Sequence, residues 1–457
     1  MIKAALVFPR FKYPSGDPPL GISYIHSYIK RKTGLDMDIY DTTFEKNPIE
    51  HLKNSFKNNK YDLIGISLMT SMLKDALNVA KIIKEINPST KIIFGGPHPT
   101  VMPYETLMNK YVDAVIIGEG ELTFLDLINN NGNFSDIKGI WYKKNNKIIK
   151  NNPRLPLKNL DELGFPLLEK LPMEKYIKVW FQLELSIGKK RGSNIIMSRG
   201  CPYNCSYCQP TLKTLFGNYV RSRSAKSVIE ELKYLKKKFD INSFFFQDDT
   251  FAFNKKNIFE LCDLMIKEKL NLIWGCNIRV DLVEEDLLKK MKEAGLKKLA
   301  VGIESASQRI LDTIYNKGIT IKQVERAVDI ISKLGLECRG YFMIGAPTET
   351  VEEIEETIKF AKKLKINEAT FSITTPLPHT NLYENTKNMI DREISDFDYY
   401  KTPVYKGDNI LSPKKLKWLK RKALLEFYLS PRIIKRTLKS CFYPPELKTT
   451  LYKLKRF

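Results

Sequence analysis

Along the first 130 residues, short apolar runs alternate with longer segments whose apolar positions recur every three or four residues. KAALVFP, DMDIYDT, YDLIGISLMT, KIIFGGP and YVDAVIIGEGE predict strands, while GISYIHSYIKRKTG (closed by Gly34) and MLKDALNVAKIIKEINP predict amphipathic helices. That alternation predicts an α/β fold, with a doubly wound, mostly parallel, Rossmann-like sheet over residues 1–129. Ligands on such sheets bind beyond the carboxyl ends of the strands. Those ends are SLMTS (with Ser67 and Thr70), GGPHPT (with Gly95 and Gly96) and GEGE (with Gly118, Glu119 and Gly120). Glycine at a strand end is also common turn chemistry, so this pattern marks a candidate surface and no more.

Between residues 130 and 190 the periodicity loosens. GIWYKKNNKIIKNNP predicts a hairpin with an Asn-Asn turn, inside a proline-punctuated linker packed on one or both neighbouring units. A second alternation follows over 191–405. Its strands are SNIIMSR, SFFFQDD, LIWGCNIR, KLAVGIES, ECRGYFMIG and EATFSITTP, each followed by a helical pattern. Six such units predict a partial (β/α)6 barrel with its chemistry at the strand carboxyl ends. From 406 to 457 the chain becomes helical and basic. Leu416, Leu419, Ala423 and Phe427 recur at helical spacing, which predicts a helix packed on the body; a helix lying on a membrane surface is the sharper alternative.

A chain of 457 residues with 43% hydrophobic content has enough length and apolar surface for two or three cored domains. It opens on a strand pattern instead of a signal peptide, and it lacks a run of about 18 uncharged apolar residues, so the expectation is a cytoplasmic protein without membrane spans. Of the formal charge of +23, the last 57 residues supply sixteen Lys or Arg against three acids. Such a tail is a solvated face, or else faces something anionic: phospholipid, nucleic acid or a phosphorylated substrate.

In MSRGCPYNCSYCQP three of the seven cysteines, Cys201, Cys205 and Cys208, are spaced C-x3-C-x2-C. In a reducing compartment clustered cysteines bind metal more often than they form bridges. Three thiolates can hold three irons of a cubane cluster and leave the fourth iron open to a substrate. Zinc with a fourth ligand elsewhere is the competing reading. The remaining cysteines, Cys262, Cys276, Cys338 and Cys441, lie singly in apolar or helical contexts and read as packing residues, with Cys276 nearest a barrel strand end.

This loop, with Tyr207 before its last cysteine, resembles the signature of the radical S-adenosylmethionine (SAM) enzymes. The resemblance implies a 4Fe–4S cluster on Cys201, Cys205 and Cys208, with SAM on the open iron cleaved to a 5′-deoxyadenosyl radical. It extends to FFFQDDTF (Asp248 and Asp249), to VGIESASQRIL (Gly302, Glu304 and Ser305 as SAM contacts), to NIRVD (Arg279 on the catalytic side) and to YFMIGAPTET (Gly345 near the adenine). PLPHTNLYE is similar to a closing element of the family, with His379 where glycine is usual; His379 is a candidate acid, base or substrate contact, or an ordinary loop histidine. PPLGISYIHSYIK, SLMTS, GGPHPT and GEGE resemble in order the cobalamin (B12)-binding domain that precedes the barrel in one branch. The resemblance implies cobalamin, which this branch often binds without a protein histidine ligand; none of the four histidines (His26, His51, His98, His379) sits in the D-x-H-x-x-G motif of other B12 proteins, an absence that neither proves nor excludes the cofactor.

The expected function is therefore a cobalamin-dependent radical SAM methyltransferase acting on an unactivated carbon of a small-molecule or lipid-like substrate. The resemblance also implies a ferredoxin- or flavodoxin-type electron donor. The alternatives are a ring-forming or oxidative enzyme of the same branch and a metal-containing RNA-binding protein. The absence of any cysteine before Cys201 argues strongly against methylthiolation, which in that class uses three further amino-terminal cysteines. Nucleic acid is not expected as a partner, and the basic tail suggests contact with an anionic membrane.

Overall fold

The structure is a computed structural model that describes residues 2–145, 147–183, 190–397, 403–406 and 411–441, without the side chains of 437–441. Seven strands form the first sheet: β1 (Ala4–Phe8), β2 (Asp38–Asp41), β3 (Leu63–Ser67), β4 (Lys91–Gly95), β5 (Ala114–Ile116), β6 (Ile140–Lys144) and β7 (Lys147–Lys150), in the order β2-β1-β3-β4-β5-β6-β7. The first five are parallel; the continuous apolar character of β1, β3, β4 and β5 follows from burial on both faces, while the edge strand β2 (DIYD) is only half-buried. The hairpin β6–β7 adds antiparallel to β5. It extends the first sheet, so the first unit reaches Lys150 instead of ending at 129, and the linker proper is shorter than the 130–190 expected.

The strands β8 (Gly192–Ile195), β9 (Ser198–Arg199), β10 (Arg221–Ser222), β11 (Ser243–Phe246), β12 (Ile273–Arg279), β13 (Leu296–Glu304), β14 (Glu337–Ile344) and β15 (Glu368–Ile373) follow. Six of them form one wholly parallel sheet in the order β15-β14-β13-β12-β11-β8, the open (β/α)6 barrel. β9 and β10 pair antiparallel as a small separate ribbon. Period-two alternation sorts each barrel strand. Leu299, Val301 and Ile303 of β13 enter the core between sheet and helices, which leaves Lys298, Ala300, Gly302 and Glu304 on the inner face. Helix starts follow local chemistry: Thr320 and Thr350 form capping boxes with Gln323 and Glu353, and Ser224 caps the helix Ala225–Phe239.

The linker bridges both units. Tyr176 donates to Asp41 Oδ2 (2.5 Å) in the first, and Trp180 Nε1 donates to Asn194 Oδ1 (2.9 Å) in the barrel. Trp180 and Leu183 pack with Phe245 and Ala300 inside the barrel. Beside them Glu368 accepts from both Lys298 (2.5 Å) and Arg339 (2.7 Å), near the amino ends of β13, β14 and β15. The lower barrel is thus filled, and the carboxyl ends remain as the open end.

The basic tail is two helices, Pro413–Tyr428 and Pro431–Cys441, split at Pro431 because a helix rarely passes the residue before proline. Leu416, Leu419, Ala423 and Phe427 are buried against the barrel as their spacing predicts. Residues 442–457, with the end of the tail, lie outside the described residues. No described helix is long and apolar enough to cross a membrane.

Candidate active site

Directly after β9 the chain forms the cysteine loop, braced from several sides. Ser206 N donates to Tyr315 O (2.9 Å) and Leu382 N to Ser206 O (2.9 Å), so two distant segments clamp its middle. Asp248 sits below it, accepting from the backbone N–H groups of Met197 (3.1 Å) and Ser198 and from the Ser198 hydroxyl (2.5 Å). Burial pushes the Asp248 carboxyl up to about 7 against those donors. Asp249 exposes its side chain at the lip beside Cys208 and accepts from the Gly200 backbone, while the protein crowded around its carboxyl partly desolvates it and raises it to about 6. The two adjacent acids therefore differ in task. Asp248 is fixed inside the fold, and Asp249 faces the open end.

Cys205 is buried, and Cys201 and Cys208 are half-buried. Burial raises the Cys208 thiol, with the neighbouring Cys205 adding to the shift. Two cations lie alongside. Arg279 Nη1 is 3.5 Å from Cys205 Sγ, with its guanidinium 3.6 Å from the Tyr203 ring centroid. The same guanidinium is held by Asp281 (3.0 Å from Nε) and by Lys317 O (2.9 Å). Lys317 Nζ bridges Glu304 Oε1 and the Tyr207 hydroxyl. Three soft thiolate donors next to buried cations suit an anionic iron–sulfur cluster. Among the described residues, no three His, Cys, Asp or Glu side chains close on one ion; a cubane distributes its thiolates over three irons.

Other expected contacts lie nearby in different roles. A Cβ on Gly302 would stand 2.5 Å from Glu304 Oε1 and 2.8 Å from Lys317 Nζ, so a bare backbone there admits that ion pair. Ser305 turns inward: it meets Thr357 Oγ1 at 3.3 Å and accepts from Ser307 N, so its hydroxyl serves the fold. Gly345 (φ 80°) donates to the buried Glu349, and Leu416 of the tail helix covers its Cα. His379 has φ 65°, the left-handed backbone that glycine adopts at low cost, which accounts for glycine at the corresponding place in the family element. Its Nε2 is 3.4 Å from Thr214 Oγ1, on the helix after the cysteine loop. Cys276 is fully buried and points into the layer between sheet and helices, away from the loop.

The carboxyl ends of β3, β4 and β5 face this loop. Ser67, Thr70, Gly95, Gly96 and Gly118 are half-exposed there, and Met69 is 40% exposed. The space over Gly95 is open: the atom nearest to where a Cβ would stand is Ile116 Cβ, at 4.0 Å. Hydroxyls, backbone amides and one thioether make a shelf suited to a flat, amide-bearing macrocycle. His98, the histidine on this end, is buried with Nδ1 3.2 Å from Thr70 Oγ1, and burial lowers it to about 4. Glu119, whose backbone is part of the shelf, turns its carboxylate away from it to pair with Arg199 and Arg221 of the barrel unit. Arg199, Arg221, Tyr203 and Lys317 were not marked by any spacing in the sequence, since each has a partner 76 or more residues away (Glu119, Arg279 and Tyr207); Glu349, which accepts from the nearby Gly345 and Ala346 N–H groups, carried no motif of its own.

Residues 195–361 match the model of the radical SAM superfamily, and residues 12–128 that of the B12 binding domain. The chain is 39% identical over 427 residues to the "Uncharacterized methyltransferase" of Pyrococcus horikoshii, covering 91% of this chain and 89% of that one. It is 30% identical over 403 residues to the anaerobic magnesium-protoporphyrin IX monomethyl ester cyclase of Rubrivivax gelatinosus, covering 86% and 70%. The fold is similar to that of the radical S-adenosylmethionine methyltransferase TsrM from Kitasatospora setae, solved with cobalamin and a 4Fe–4S cluster bound: TM-score 0.72 at 16% identity, covering 85% of this chain and 75% of that one. Matching both family models and a relative along most of its length, the chain belongs to the radical SAM superfamily, in the branch that carries a B12-binding domain ahead of the barrel.

Proposed function

We propose that the protein is a cobalamin-dependent radical SAM methyltransferase acting on an unactivated carbon of a small-molecule or lipid-like substrate. The carrying observation is the opposition of two strand-end faces, the glycine shelf of the first sheet and the cysteine loop of the barrel, held together by buried ion pairs. A substrate between them would meet both cofactors at once. When bound, the 4Fe–4S cluster with SAM would supply a 5′-deoxyadenosyl radical, and cobalamin a methyl carrier.

In this reading Cys201, Cys205 and Cys208 hold the cluster, and Arg279 offers an N–H to the sulfur of Cys205. Asp249 would receive the SAM ammonium, and Glu304, already paired with Lys317, fixes the carboxyl end of β13. Ser67, Thr70, Gly95, Gly96 and Gly118 would cradle cobalamin through hydroxyls and backbone. The filling of the lower barrel by Trp180, Leu183, Phe245 and Ala300 shields that side of the site from water, which would protect a reactive radical.

The test is anaerobic reconstitution with iron, sulfide, hydroxocobalamin and a one-electron donor such as flavodoxin. The reading expects 5′-deoxyadenosine from SAM and, with methyl-deuterated SAM, label carried into cobalamin. Stoichiometric zinc without SAM cleavage would end it. Label-free turnover with 5′-deoxyadenosine formed would favour ring formation or oxidation, the reading that the Rubrivivax relative supports.

The membrane contact rests on the helix Pro413–Tyr428. Trp418 (52% exposed), Leu425 and Leu429 form a stripe opposite its buried face, flanked by exposed Lys414, Lys415 and Arg421. Such a stripe suits an anionic bilayer surface. Vesicles of phosphatidylserine with phosphatidylcholine should recruit the protein at low salt, and a Trp418→Ser, Leu425→Ser variant much less; equal recruitment of both would remove the idea.

A further inference from the structure

The turn after β5 holds the residue that joins the two faces. Glu119 lies between Gly118 and Gly120, on the shelf itself. Its Oε1 accepts from Arg199 Nη1 (2.7 Å) and Arg221 Nη2 (3.0 Å), and its Oε2 from Arg221 Nη1 (2.9 Å) and Leu157 N (3.3 Å). The neighbouring Glu121 takes the other fork of Arg199 at 2.7 Å. Arg221 is further tied to Leu157 O (2.7 Å) and Phe216 O (2.9 Å). Arg199 also lies over the Tyr24 ring at 5.2 Å. All four charged side chains are at most 10% exposed.

Arg199 and Arg221 are cross-strand partners in the β9–β10 ribbon, and Cys201 follows Arg199 by two residues. Arg221 closes the other end of the same excursion, after the helix Thr211–Phe216 that packs under Gly118. One carboxylate from the shelf therefore grips both ends of the segment that carries all three cysteines. Forked, charge-assisted pairs of this kind fix direction as well as distance, which a single hydrogen bond or an apolar contact does not.

We infer that Glu119 is a positioning residue. It sets the height and tilt of the cysteine loop over the shelf, and so the gap between the two cofactors. This rests on the proposed placement of cobalamin on the shelf, and it replaces the sequence expectation that Glu119 touches that cofactor. Uncoupling the grip should leave each site able to bind its own group while loosening their mutual geometry.

The test compares the full-length protein with its Glu119→Gln variant, which keeps the shape but loses the charge, and with Arg221→Lys, which keeps the charge but loses the fork. Hydrogen exchange at amides 198–209 should accelerate at least tenfold in Glu119→Gln, with strands β1, β3, β12 and β13 unchanged. Hydroxocobalamin affinity, read by absorbance, should stay within about twofold. The paramagnetic signal of the reduced cluster with SAM should shift at unchanged iron content. Arg221→Lys should give the same pattern at smaller amplitude, and it decides the matter if Glu119→Gln does not fold. Loss of cobalamin affinity by tenfold with unaltered exchange at 198–209 would make Glu119 a cofactor ligand and overturn the inference. Exchange raised evenly across both sheets would reduce the grip to general stability and overturn it too. Hydrogen exchange needs no turnover, so failure of the methyl-transfer reading shows separately, in the wild-type label experiment.

Discussion

Lys317 Nζ stands 2.7 Å from Glu304 Oε1 and 2.8 Å from the Tyr207 hydroxyl, so one buried ammonium ties the carboxyl end of β13 to the cysteine loop. Removing one member of a buried pair strands the other, at a cost of about 3–5 kcal/mol. Lys317→Met should lose stability of that order in urea unfolding. Adding Glu304→Gln should recover much of it, because the stranded charge is gone, while SAM affinity stays low in both variants.

The adjacent acids should separate by assay. Asp248→Asn weakens a buried acceptor of three donors and should cost about 1–3 kcal/mol of stability. Asp249→Asn, open to solvent, should change stability by no more than about 0.5 kcal/mol. Its expected effect is on SAM, with KM rising tenfold or more. Denaturation and SAM titration on the two variants check the division.

Acid should unsettle the first unit through His98. Its folded value of about 4 lies below the ordinary 6.5, so between the two the unfolded chain binds a proton that the folded ring excludes. Stability tied to this ring is complete above pH 6.5 and is lost as pH falls to 4, about 3 kcal/mol in all. His98→Gln should flatten that part of the stability–pH curve relative to wild type.

Gly345 combines φ 80° with a Leu416 methyl 2.4 Å from where a Cβ would stand. Gly345→Ala should cost about 1–3 kcal/mol from backbone strain and overpacking. Leu416→Ala added to it should relieve the overpacking part only. Thermal unfolding of the two variants and the double variant measures both parts.

Replacing any one of Cys201, Cys205 and Cys208 with alanine should abolish a stable cluster and SAM cleavage, with iron content falling from about four per chain. Cys276→Ala should keep the iron and lose only packing, because its side chain lies behind the sheet.

Legibility followed the range of the interactions. All six barrel strands and the five parallel strands of the first sheet were evident from their apolar positions, which run continuously where both faces are buried, as in β1, and are sparser where they are not, as in the edge strand β2. The hairpin was also evident, but its docking on β5 was not, because any exposed edge could have taken it. Asp248 and Asp249 looked equivalent side by side; the turn that follows β11 sent one under the ribbon and the other to the lip. Ser305 looked like a ligand contact, and Thr357, 52 residues away, claimed its hydroxyl.

By itself, then, the sequence determined the two-unit α/β architecture, the C-x3-C-x2-C spacing of three cysteines and the glycine-rich strand ends, all of which rest on local spacing. Tertiary structure decided the pairing of charges. Arg199, Arg221 and Lys317 are ordinary basic residues among 75 until folding buries each beside a carboxylate. Glu119, which sequence placed among the cofactor contacts, became the grip between the units for the same reason: a buried carboxylate takes the nearest unpaired guanidinium, and only the fold says which one that is.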